Sequence, residues 1–156
     1  MTFYSPSEGR MSLERVFNSI VGYVDSDPEA EYRLIIGTDS HSRDGVTFVT
    51  AIIIHRVGKG ARYYYRKKRH RAMDSLRQRI YYETSMSLGV GSELAEMLAK
   101  NGQIDVNMEI HLDVGTRGET RELIREVMGM VMGSGFRAKI KPDSYGASKV
   151  ADKHTK

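Results

Sequence analysis

Residues 32–68 read YRLIIGTDSHSRDGVTFVTAIIIHRVGKGARYYYRKK, and this stretch decides the fold. Tyr32 to Thr38 is an apolar run that reads as a buried strand. Arg43-Asp44-Gly45 signals a turn. Val46 to His55 is β-branched and nearly continuous, the strongest strand pattern in the chain. Gly58-Lys59-Gly60 marks a second turn, and Ala61 to Lys68 a third strand with Tyr63, Tyr64 and Tyr65 in succession. Three strands joined by short turns make an antiparallel meander.

Upstream, residues 1–10 are polar and are expected to be flexible. From Met11 to Val24, Leu13, Val16, Phe17, Ile20, Val21 and Val24 recur at helical spacing, with Ser12 placed to cap the helix. Downstream, Asp74 or Ser75 can cap a helix to about Leu88. Gly89 and Gly91 are expected to interrupt it, and Ser92 to Lys100 resumes the pattern. Val106 to Val114 alternates as a fourth strand, Glu119 to Met132 is an amphipathic helix, and Phe136 to Lys141 is a fifth strand stopped by Pro142. Gly146 to Lys153 reads as a short last helix. The expected fold is one α/β domain over 1–156, with a mixed five-stranded sheet flanked by helices. Strands 1–3 form the meander. Right-handed crossovers place strands 4 and 5 parallel to strand 1 and successively beyond it.

The chain has 156 residues, no cysteine, and 24 Lys and Arg against 20 Asp and Glu. Without cysteine there is no disulfide scaffold, thiolate catalysis or thiolate-held metal, which suits a cytoplasmic setting. No apolar run approaches the ~20 residues of a membrane span, so no membrane partner is expected. The charge is segregated. Residues 55–79 hold ten Lys and Arg with one acid, Asp74, while the remaining chain holds 14 basic and 19 acidic residues. Arg62, Arg66, Lys67, Lys68, Arg69, Arg71, Arg77 and Arg79 are therefore candidates for gripping a phosphate backbone. The plainer reading of such a run is a solvated hairpin.

Three acids follow strands: Asp39 in GTDSHS, Asp113 in IHLDVG and Asp143 in IKPDS. With those strands parallel neighbours, the acids gather at the carboxyl edge where open α/β sheets place ligands. Glu83 falls three residues after Ile80 and seven after Leu76, on the sheet-facing stripe of its helix, where an unpartnered carboxylate is costly. Asp152 in the last helix is a further candidate. Clustered carboxylates repel unless a cation joins them, and oxygen donors without sulfur suit Mg²⁺ or Mn²⁺. Each acid alone is also an ordinary turn residue or cap. Among the histidines, His55, His111 and His154 read as structural, and His41 is open as a proton carrier beside Asp39.

Acids at the first strand, the first long helix, the fourth strand and the C-terminus resemble the ribonuclease H-like pattern. The strings RLIIGTDS, RQRIYYETSMSLG, HLDVG, GMVMGSGF and KPDSYGASKVADKHTK resemble the YkuK-type family of short bacterial proteins, over about residues 5–156. The resemblance implies a ribonuclease H-like sheet whose metal-holding acids are Asp39, Glu83 and Asp113, with Asp143 or Asp152 as the fourth. It also implies a two-metal nuclease acting on RNA, DNA or a hybrid. Two alternatives remain: a non-catalytic nucleic-acid-binding protein on the same fold, and a junction resolvase working as a homodimer.

Overall fold

The computed structural model describes residues 1–101, 106–114, 121–141, 143–144, 150 and 154. Among the described residues, seven strands form one sheet in the order β2-β1-β5-β4-β3-β6-β7. The central meander is β3 (Tyr32–Ser42), β4 (Val46–Arg56) and β5 (Gly60–His70), antiparallel throughout. β6 (Asn107–His111) lies parallel to β3, and β7 (Arg137–Lys139) parallel to β6. The five expected strands thus stand in the expected order and direction. β3 and β5 each run further than the sequence suggests, so Asp39 lies inside its strand, not after it.

The first ten residues differ from expectation. β1 (Thr2–Ser5) and β2 (Gly9–Ser12) form a hairpin that joins the sheet beside β5, with Tyr4 opposite Tyr65. Phe3 and Met11 are cross-strand partners, and both are buried in the main core. Two apolar side chains on four-residue strands are too brief a pattern to register as alternation, yet their burial fixes the hairpin.

Both sheet faces are covered, which explains the unbroken apolar runs of β3 and β4. Leu34, Ile36, Ile52, Ile54 and Tyr64 face the helices in the main core. Ile35, Ala51 and Ile53 face the other way, against Tyr63 and Val150. α1 (Leu13–Asp25) starts where Ser12 Oγ accepts from the Arg15 N–H at 3.2 Å, and it buries Leu13, Val16, Phe17 and Ile20. α3 (Arg121–Gly133) buries Leu123, Ile124, Val127 and Val131. The expected last helix lies mostly outside the described residues, although Val150 and His154 are helical.

α2 (Leu76–Asn101) is one continuous helix of 26 residues, uninterrupted at Gly89 and Gly91. A glycine costs a helix about 1 kcal/mol relative to alanine, too little to break one held by packing. Gly91 has a positive role. A Cβ there would lie 3.3 Å from Ile110 Cδ1, 3.4 Å from Phe136 Cζ and 3.5 Å from Ile36 Cδ1. The missing side chain lets α2 approach the sheet closely, whereas nothing lies within 4 Å of a Cβ at Gly89. Gly91→Leu is therefore expected to destabilise the protein by about 2 kcal/mol or more through overpacking. Gly89→Ala is expected to stabilise it by about 0.5–1 kcal/mol. Urea unfolding of the two variants checks both signs.

Candidate functional site

Alternation along β3 sends Thr38 and Ser40 toward α2, and Asp39 and His41 to the opposite face. Three residues of α2, each one turn apart, meet the first pair. Ser87 Oγ lies 2.8 Å from Thr38 Oγ1, which itself lies 2.9 Å from Thr50 Oγ1. Ser40 Oγ donates to Glu83 Oε2 at 2.5 Å. Arg79 donates to Ser40 three times, from Nη2 and Nε to Oγ at 2.9 and 3.2 Å and from Nη2 to the carbonyl at 3.2 Å. Positions 79, 83 and 87 of α2 thus fix the helix against residues 40 and 38 of the strand.

Asp113 follows β6 by two residues. Gly37 pairs with His111, so continuing the parallel register by two sets Asp39 and Asp113 side by side on one face. The two side chains share a hydrogen bond. Burial pushes the Asp113 carboxyl up, but the hydrogen bond with Asp39 and the Lys141 ammonium outweigh it and leave Asp113 below the usual range. Lys141 Nζ sits 2.7 Å from Asp113 Oδ1. That contact, and the charges of Asp39 and Glu83, raise the lysine against a smaller loss from burial.

Glu83 joins the two aspartates from the helix side. It is buried, as its place on the apolar stripe requires. Burial is the main cause that pushes its carboxyl up to about 8; Asp39 and Asp113 push the same way, while Ser40 and Arg79 oppose them. Asp39, Glu83 and Asp113 therefore come together as the sequence suggests. His41 is half-buried on the Asp39 face, and its charge lowers Asp113.

Asp143 is exposed in a turn, where its backbone N–H donates to the Ile140 carbonyl at 2.8 Å, and no ion pair among the described residues joins it to the cluster. Asp152 lies outside the described residues. His111 is buried with its Nε2 3.0 Å from Glu109 Oε1, and burial lowers it, in line with a structural histidine. His154 stacks on Tyr65 at 3.8 Å and meets the Tyr63 hydroxyl at 3.1 Å.

The basic run divides across the sheet. Arg66 and Lys68 pair with Thr50 and Phe48 on the helix face, and Lys67 and Arg69 with Val49 and Thr47 on the other. Several of its cations have partners within the chain. Arg77 bridges to Glu126 at 2.6 Å, Arg69 donates to the Asp44 carbonyl at 2.7 Å, and the Arg62 guanidinium lies 4.8 Å from the Tyr23 ring centroid. Lys67, Lys68 and Arg71 are exposed. Lys67 stands in the cross-strand row of Val49 and Asp39, two strand spacings or about 10 Å from the acid.

The residues that sequence reasoning missed are Ser40, Thr38 and Ser87, together with Lys141 and the positioning part played by Arg79. The signal for the first group is polar side chains at spacing two on a strand and spacing four on its covering helix.

The donor chemistry suits a hard divalent cation, since Asp39, Glu83 and Asp113 offer only oxygen. Among the described residues, no three acids or histidines are arranged to hold such an ion as they stand. Lys141 and Arg79 supply the positive charge instead.

A titration follows from Glu83. An ordinary glutamate titrates near 4.5, so between that pH and about 8 the folded chain keeps a proton that the unfolded chain has lost. Stability must fall as pH rises through this window. Glu83→Gln, which carries no charge, is expected to stay close to the wild type near pH 5 and to exceed it by about 4 kcal/mol above pH 8, at ~1.36 kcal/mol per pKa unit. Urea unfolding in EDTA at the two pH values reads the difference.

A family model described as Ribonuclease H-like matches residues 15–156. The chain is 38% identical to the uncharacterised protein YkuK of Bacillus subtilis (strain 168), over 99% of this chain and 96% of that one. No solved structure matches it.

Proposed function

The chain belongs to the Ribonuclease H-like family, and from that premise we propose that it is a metal-dependent nuclease that hydrolyses phosphodiester bonds of RNA, DNA or their hybrid. The observation that carries this reading is the meeting of Asp39 on β3 and Asp113, just past the parallel neighbour β6, with Glu83 from α2. Mg²⁺ or Mn²⁺, when bound, would supply an activated water and would stabilise charge on the leaving oxygen.

The residues would divide the remaining tasks. Asp39 and Asp113 would hold the cation, and Glu83 in its ionised form would complete the set. Ser40, anchored by Arg79, keeps Glu83 aimed at the edge. The fourth acid of the family pattern falls to Asp143 or Asp152. Lys67, in the row of Asp39, and the exposed Lys68 and Arg71 hold the flanking phosphates.

The non-catalytic binding reading has one observation in its favour: Asp113 is already paired with the Lys141 ammonium at 2.7 Å. No helix among the described residues is long and apolar enough to cross a membrane.

A panel of RNA, DNA, hybrid and four-way-junction substrates with Mg²⁺ or Mn²⁺ decides between them. Asp39→Asn combined with Asp113→Asn is expected to reduce cleavage by about a thousandfold or more, equal to ~4 kcal/mol of barrier. Unchanged cleavage in the double variant would falsify the site, and binding without any cleavage by the wild type would favour the binder. Salt dependence tests the phosphate contacts separately. Lys67→Ala is expected to lower the slope of log K against log salt by about one. Arg77→Ala should leave the slope unchanged, because Arg77 is bound to Glu126.

A further inference from the structure

We propose that Lys141 is the exchangeable counter-ion of the carboxylate cluster: its ammonium neutralises Asp113 in the absence of a divalent cation and leaves for solvent when one enters. The inference rests on the metal-site reading above and adds to it how the site is kept closed.

Backbone pairing places the lysine. The Leu112 N–H donates to the Lys139 carbonyl at 2.8 Å and the Lys141 N–H to the Val114 carbonyl at 2.9 Å, and these bonds tie the segments that follow β6 and β7 to each other. His111 pairs with Lys139, and two residues further along each chain the Lys141 side chain meets Asp113. The 2.7 Å contact is a charge-assisted hydrogen bond. The ammonium also feels Asp39 and Glu83, the same three acids that a metal ion would meet.

Two basic side chains beside the cluster, Arg79 and Lys141, differ in their freedom to move. Arg79 is held by three hydrogen bonds to Ser40 and is half-buried. The Lys141 side chain is 54% exposed, against 22% for Asp113, so its ammonium can turn into water on a flexible stem. A half-exposed ion pair contributes little to stability, and a doubly charged ion can displace it. A monovalent ion has no such advantage over the tethered ammonium. Lys141 thus sets a threshold that favours divalent ions.

Calorimetric titration of Mn²⁺ into the full chain at constant pH and salt tests the exchange, using wild type, Lys141→Met, Lys141→Arg and, as a control for location, Asp113→Asn. Methionine keeps the stem and removes the charge, and thermal unfolding of each variant without metal verifies that it is folded. Mn²⁺ is expected to bind Lys141→Met about tenfold more tightly than wild type, a difference of ~1.4 kcal/mol. Lys141→Arg, with a forked donor that grips a carboxylate better, should bind it more weakly. Equal dissociation constants across wild type and both lysine variants overturn the exchange and leave the metal site standing. Weaker binding by Lys141→Met overturns it too, since the lysine would then assist the ion. An absence of Mn²⁺ uptake in every variant removes the metal site and the exchange together.

Discussion

Parallel pairing of β3 with β6 is the constraint on which the site depends. Parallel strands bring their carboxyl ends to the same edge, and their shared register sets equivalent residues side by side. Asp39 and Asp113 are neighbours because Gly37 and His111 are paired two residues earlier. A one-residue slip in either strand would turn one acid to the opposite face. The apolar residues on both faces of β3 and β4 hold this register, because every slip would trade Ile35 for Ile36 against differently shaped neighbours. The core therefore sets the spacing of the two acids.

The third acid arrives by another route. Alternation directs Ser40 toward the helix layer and Asp39 away from it, so Glu83 approaches through the hydroxyl of Ser40. The cluster is assembled at the edge from both faces of one strand. Its polarity is confined there, while one turn further along α2 the contact is Ser87 to Thr38, and beyond it Gly91 meets Ile36 and Ile110. The helix changes from charged to hydroxyl to bare backbone as it passes from the edge into the core. That gradient allows a carboxylate to be buried at one end of a helix that packs closely at the other.

The sequence made the meander, both parallel strands and the three central acids legible, since each rests on a local pattern. β-branched runs mark the strands, turn residues separate them, and the Leu76–Ile80–Glu83 spacing places a carboxylate on a buried stripe. The N-terminal hairpin was not legible, because it depends on Phe3 meeting Met11 and on a partner strand sixty residues away. The continuity of α2 was hidden for a similar reason. Gly91 looks like a breaker until the isoleucines opposite it are known. The basic run was visible as composition but not as geometry, for alternation splits it between two faces and ion pairs engage part of it. Lys141 drew no notice because nothing local distinguishes it from Lys139; only the contacts between the segments after β6 and β7 show which lysine meets the acid.

The ends of the sheet bear on how copies of the chain can meet. The outermost strands are β2, of four residues, and β7, of three, and each carries arginine or lysine. Next to β2, β1 covers only part of the eleven-residue β5, whose continuation is Arg66-Lys67-Lys68-Arg69. Short, like-charged borders offer little backbone for another strand to template on. Among the described residues, sheet extension is therefore discouraged at both of these borders.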